Sequence, residues 1–211
     1  MNAPLNPGEH DLLLVVDVQN DFCSRGALAL PGGEQVVAPI NRLARQFRHV
    51  VLTQDWHPRD HQSFASNHPG RRPYDTVQLA YGAQTLWPEH CVQGSYGAAL
   101  HADLDIPHAE LILRKGYRAA IDSYSAFYEN DRCTPTGLAG YLRERGMHRL
   151  FLAGLATDYC VLYSALDARR EGFEVVVLLD ACRGLNVDSS LAAALTAMHK
   201  AGVDIRDSTA G

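Results

Sequence analysis

Three residues able to move protons or attack an electrophile stand just beyond apolar runs: Asp17 after DLLLVV, Lys115 after ELILR, and Cys160 in GLATDYC after RLFLAG. In GLATDYC, Thr157 or Asp158 is a natural N-cap, which puts Cys160 in the first turn of a helix. A helix start and a neighbouring Lys115 ammonium both favour a thiolate, so the thiol is expected to have a lowered pKa and to act as a nucleophile. The N–H groups of the same turn, especially those of Ala156 and Cys160, can hold the oxyanion of a tetrahedral intermediate. Asp17 follows only apolar side chains, an environment that shifts a carboxyl pKa far enough for proton transfer. Taken singly, each residue reads as well as a helix cap or half of an ion pair. A cysteine together with an acid and a lysine favours catalysis.

A second set is Asp55-Trp56-His57. On an extended strand, residues i and i+2 project from one face about 6.6 Å apart, so a carboxylate and an imidazole can converge on a metal. His90 in LWPEHCVQG can complete a site of two histidines and one carboxylate, with His61 and His68 competing for that place. Such a donor set accepts Zn, Fe or Mn. With ten histidines in the chain, chance proximity is the competing reading. Of the remaining cysteines, Cys23, Cys133 and Cys182 read as buried small hydrophobes, and Cys91 stays open beside His90.

The elements that must carry these residues follow from hydrophobic periodicity. Asp11–Asp17, His49–Asp55, Glu110–Lys115, Arg149–Gly154 and Phe173–Asp180 read as strands buried on both faces, and Val203–Arg206 as a short closing strand. Helical patterns at Gln35–Phe47, Gly137–Arg145, Asp158–Glu171 and Ser189–Lys200 alternate with them. That order predicts an α/β fold with a mostly parallel sheet, helices on both faces and right-handed crossovers. Ligands of such sheets bind outside the carboxyl ends of the strands, which here carry Asp17, Asp55, Lys115, the Ala156–Cys160 turn and Asp180. Trp56–Gly97 is too long and too rich in His, Pro and Gly for a plain connection, and Gly116–Thr136 is a second irregular stretch.

At 211 residues the chain is expected to form one domain over 1–211, with an insertion at about 56–97. Nineteen basic and 24 acidic residues give a net charge of −5 without a basic block, which argues against nucleic acid as a partner. No apolar run approaches the roughly 20 residues that span a bilayer, so no membrane association is expected. The first ten residues lack the pattern of a secretory signal, and five scattered cysteines form no disulfide framework. These features predict a cytoplasmic protein.

The segments DVQNDF (17–22), DWHPRDHQSF (55–64), WPEHCVQG (87–94), RKG around Lys115 and GLATDYCV (154–161) occur in an order that resembles the nicotinamidases (pyrazinamidases), the metal-dependent branch of the isochorismatase-like cysteine hydrolases. The resemblance implies a three-layer fold with a six-stranded sheet and hydrolysis of nicotinamide to nicotinate and ammonia in NAD salvage, with pyrazinamide a further substrate. It makes Asp17 the proton-transfer group, Lys115 its positive partner and Cys160 the nucleophile that forms a thioester. It places one divalent metal ion, zinc foremost with iron or manganese as alternatives, on Asp55, His57 and His90, where it holds the ring nitrogen. His61 or Ser63 is a further contact in some relatives. The resemblance also implies a cis Leu155–Ala156 peptide, a ring sandwiched by Phe22 and Trp87, and Tyr124 as an additional wall. Whether the chain forms a homo-oligomer stays open.

Two other readings compete. A metal-free cysteine amidase of the same superfamily, acting on carbamoyl or ureido amides, needs Asp17, Lys115 and Cys160 but no metal. A structural zinc or redox-sensing module would bind metal tightly without turnover, and the scattered cysteines argue against it.

Overall fold

The computed structural model describes residues 5–208, so the outermost residues of the expected span 1–211 lie outside it. The strands are β1 (Asp11–Val16), β2 (His49–Asp55), β3 (Thr76–Leu79), β4 (Gly82–Thr85), β5 (Leu111–Lys115), β6 (Arg149–Leu155), β7 (Glu174–Arg183) and β8 (Asp204–Arg206). The helices are α1 (Val37–Ala44), α2 (Leu138–Glu144), α3 (Leu162–Arg170) and α4 (Ser190–Lys200). Six strands form one parallel sheet in the order β5-β2-β1-β6-β7-β8.

Every residue of β1 is buried because the sheet is covered on both faces. Leu13 and Val15 point into a core with Ile40 and Leu43 of α1, whereas Leu12, Leu14 and Val16 join Leu138 and Leu142 of α2, Ala165 and Ala168 of α3, and Met198 of α4. This period-two division produces three layers from an uninterrupted apolar run. The chain winds outward from β1 through β2 to β5, then returns to the other side of β1 through β6, β7 and β8. The strand order therefore reverses at β1, and the carboxyl ends of β1, β2, β5 and β6 open onto the crevice where such sheets bind ligands. Gly154 belongs to this junction: its φ is +124°, and a Cβ there would lie 2.1 Å from the Val16 carbonyl oxygen.

Four local features differ from the sequence expectation, the first being β5, which lies at the sheet edge with Ile112 half exposed rather than buried on both faces. The stretch 56–97 contains the β3–β4 hairpin, whose four-residue strands are too short and too exposed to stand out by periodicity. The helix expected from Asp158 begins instead with a π-helical turn, Thr157–Val161, leading into α3. Strand β7 runs on to Arg183, so Asp180 lies within it and its carboxylate accepts hydrogen bonds from the N–H and hydroxyl of Ser208, away from the strand exits. No helix among the described residues is long and apolar enough to cross a membrane.

Candidate active site

Asp17 is the residue at which the chain turns out of β1, with φ +48°. Its N–H donates to Thr53 Oγ1 (3.1 Å), and the Thr53 hydroxyl returns a bond to Asp17 Oδ1 (2.5 Å), so the neighbouring strand fixes the carboxylate. Asp55 and Lys115 end β2 and β5 and are register partners. The Lys115 ammonium donates to Asp55 Oδ1 (2.5 Å) and to the Ser123 carbonyl (2.8 Å), approaches Asp17 Oδ2 to 2.8 Å and lies 3.5 Å from Cys160 Sγ. The Asp17 carboxylate also faces the thiol: ligand atoms of Asp17, Asp55 and Cys160 lie within 4.8 Å of one another.

Two carboxylates share one ammonium here, all of them buried. Burial opposes the charge on Lys115, yet Asp17 and Asp55 hold its pKa well above the ordinary value. Burial also works against the Asp55 carboxylate, but Lys115 and His57 outweigh it and keep its pKa well below the usual range. For Asp17, burial prevails over the pull of Lys115, and the charge of Asp55 adds to the rise.

Cys160 departs from expectation. Burial pushes its thiol well up, Lys115 offsets this only in part, and the two carboxylates raise it further. The resting group is a neutral thiol that needs a base. Neither Thr157 nor Asp158 caps the turn; Ala156 occupies the N-cap position without a side-chain bond. The Asp158 carboxylate instead accepts from the N–H groups of Leu185 and Asn186 and the hydroxyl of Ser190, fastening the loop before α4 to this turn. The Leu155–Ala156 peptide is cis, and the Ala156 carbonyl accepts from the N–H groups of Tyr159 and Val161 on either side of Cys160.

Next to this cluster, Asp55 Oδ2 lies 3.7 Å from His57 Nε2 and 4.0 Å from His90 Nε2. His57 Nδ1 donates to the Gly116 carbonyl (2.8 Å) and His90 Nδ1 to the Pro88 carbonyl (2.9 Å). A carbonyl only accepts, so each Nδ1 carries a proton, and each Nε2 is turned toward Asp55. Backbone carbonyls orienting two imidazoles in this way are the usual outer partners of metal-binding histidines. One carboxylate and two imidazoles so converged fit a divalent metal ion. Asp55 raises the pKa of His57 against burial, whereas burial, and then the charge of a protonated His57, lower His90 to about 4.

The competitors for the third place are engaged elsewhere. His61 Nδ1 pairs with Ser63 Oγ (2.7 Å) and its Nε2 lies 3.3 Å from the Ile121 carbonyl, while His68 Nε2 bonds the Gln62 carbonyl. His61 still stacks against His57 with ring centroids 4.3 Å apart, and with Asp122 it forms a second close group.

Asp55, His90, Ala156 and Cys160 open into a pocket walled by Phe22, Trp87, Tyr124 and Tyr159 together with Leu28, Leu30 and Leu185. Counting its open mouth, the pocket encloses about 430 Å³ of space between these walls. The rings of Trp87, Tyr124 and Tyr159 meet edge to face, and the Trp87 indole N–H donates to the Tyr124 hydroxyl (3.1 Å). Phe22 packs against His90 instead, centroids 5.6 Å apart. Sequence reasoning missed Tyr159, Asp122, Thr53 and the three leucines. Tyr159 lies inside GLATDYCV, but the leucines carry no signal that separates them from core. Cys23 and Cys182 are buried as expected; Cys133 is exposed, contrary to expectation, and Cys91 is buried.

A buried cysteine, carboxylate and lysine at the switch point of a three-layer parallel sheet define the class. The chain belongs to the isochorismatase family, whose domain matches residues 11–210. It is similar to a nicotinamidase of Acinetobacter baylyi, with 53% identity over 191 residues covering 90% of this chain and 89% of the relative. A solved nicotinamidase/pyrazinamidase of Acinetobacter baumanii superposes with a TM-score of 0.94 at 51% identity, covering 95% of this chain and 97% of the other. A pyrazinamidase of Pyrococcus horikoshii solved in complex with zinc matches with a TM-score of 0.77 at 34% identity, over 94% and 99% of the two chains.

Proposed function

We propose that this protein hydrolyses nicotinamide to nicotinate and ammonia through a thioester on Cys160, with a divalent metal ion held by Asp55, His57 and His90. One observation carries the reading: the Lys115 ammonium ties Asp17, Asp55 and Cys160 into one buried cluster, and the same Asp55 faces two histidines oriented by backbone carbonyls. The similarity to nicotinamidases supports the substrate, and the zinc-containing pyrazinamidase supports the metal.

Asp17 Oδ2 takes the proton from Cys160 Sγ, a transfer made feasible by the raised pKa of that carboxyl. The thiolate attacks the carboxamide carbon, and the N–H groups of Ala156 and Cys160 hold the resulting oxyanion. Asp17 returns the proton to the departing nitrogen, so the C–N bond breaks with release of ammonia. Water, deprotonated by Asp17, then cleaves the thioester, giving nicotinate and the free thiol. Lys115 keeps the two carboxylates together and stays protonated throughout. Phe22, Trp87 and Tyr124 provide flat apolar contact for the ring. The metal, when bound, supplies a positive charge that binds the lone pair of the ring nitrogen.

Pyrazinamide fits the same pocket chemistry, and a place in NAD salvage follows from the product. The five free thiols agree with a reducing cytoplasmic setting. We read residues 1–211 as one domain in which the 56–97 stretch brings His57, His90 and Trp87 to the Asp55 carboxylate at the end of β2. The test is ammonia release from nicotinamide by purified protein, expected for the parent and absent from a folded Cys160→Ala variant. Full activity of that variant would end the thioester reading.

A further inference from the structure

The motif DVQNDF supplies Asp17 and Phe22 to the site, which leaves its middle residues unaccounted for. Asp21 stands out because both of its carboxylate oxygens are engaged by backbone. Oδ2 accepts the Cys91 N–H at 2.7 Å and Oδ1 accepts the Ala27 N–H at 3.1 Å. Cys91 is fully buried with φ +47°, a left-handed conformation uncommon for a residue with a side chain. It directly follows His90, and its carbonyl accepts the His57 N–H at 3.0 Å. One residue thus follows one histidine and accepts from the backbone of the other through its carbonyl, while its N–H is held by Asp21. Room for the carboxylate comes from Gly97, where a Cβ would lie 2.0 Å from Asp21 Oδ2.

We infer that Asp21 is a positioning residue of the metal centre: acting through the Cys91 peptide, it sets the spacing of His57 and His90. The inference rests on the metal reading above. A carboxylate is required because it offers an acceptor to each of two N–H donors; an asparagine would turn an NH2 group toward one of them. Gly97 is required for the same reason, since any side chain there displaces the carboxylate.

The experiment is calorimetric titration of metal-stripped protein with Zn2+, comparing the parent with Asp21→Asn and Gly97→Ala, alongside the rate of Cys160 alkylation by iodoacetamide. Loss of an outer partner typically weakens metal binding 10- to 100-fold. A loss of about that size in both variants is expected, with alkylation at the parental rate. Zinc affinity within twofold of the parent in either folded variant would overturn the inference. So would a parallel fall in alkylation, or failure of both variants to fold, because Asp21 would then support the structure at large. Absence of zinc binding in the parent would instead refute the metal reading itself.

Discussion

Replacing Asp17 by asparagine separates catalysis from stability in a way few buried substitutions do. The side chain is fully buried, and its shape is kept. Asparagine can still accept from Thr53 through one oxygen, but no base faces Cys160. General base catalysis by a positioned side chain is worth about 10²- to 10⁴-fold, or roughly 2.7 to 5.5 kcal/mol of barrier. Because burial holds the Cys160 thiol neutral, kcat/KM for nicotinamide is expected to fall by that range. Stability should respond in the other direction. A carboxyl whose folded pKa is raised favours the folded state below its unfolded pKa and loses that advantage as pH rises through the folded value, so at pH 7 the Asp17 charge burdens the fold. Lys115 keeps Asp55 Oδ1 and the Ser123 carbonyl as partners, so no charge is orphaned. The variant should therefore unfold at or above the parental Tm while losing turnover, measured by ammonia release and thermal unfolding on one preparation. A kcat/KM within tenfold of the parent, or destabilisation beyond about 3 kcal/mol as expected for a broken buried ion pair, would refute the reasoning.

Lys115→Met should behave oppositely, destabilising the protein by about 3 to 5 kcal/mol in denaturant titrations because two buried carboxylates lose their shared cation. Removing that ammonium also raises the thiol further, so alkylation of Cys160 at neutral pH should slow; an unchanged rate would make Lys115 purely structural. Chelation, verified by elemental analysis, should greatly reduce nicotinamide turnover while sparing Cys160 alkylation, and benzamide, lacking the ring nitrogen, should be a much poorer substrate. A metal-free protein of full activity would favour the metal-free amidase. His61 is buried and its pKa is depressed to about 4, chiefly by burial and then by the charge on His57. Its neutral form favours the fold above pH 6.5, and that stability is lost as pH falls from 6.5 to about 4, on the order of 3 kcal/mol. His61→Gln should flatten the Tm profile across this window, and an equally steep profile would exclude His61 as the cause.

Much of the fold was legible in the sequence because strands and helices announce themselves through local periodicity. DLLLVV, HVVLTQD and RLFLAG read as strands covered on both faces, and their alternation with helical patterns predicts a parallel sheet whose carboxyl ends carry Asp17, Asp55 and the turn before Cys160. The i, i+2 spacing of Asp55 and His57 is equally local. What only tertiary structure decided depends on residues far apart in the chain. Lys115 reaches Asp55 across 60 positions, and His90 rather than His61 or His68 meets Asp55, because Pro88 and Gly116 carbonyls turn the rings. Asp158, an N-cap candidate by sequence, and Asp180, placed at a strand exit, are instead taken up by backbone and hydroxyl groups of later segments. The protonation of Cys160 is the clearest case: helix start and lysine argue for a thiolate, but the desolvation that outweighs them comes from packing of the whole sheet and exists only once the chain has folded.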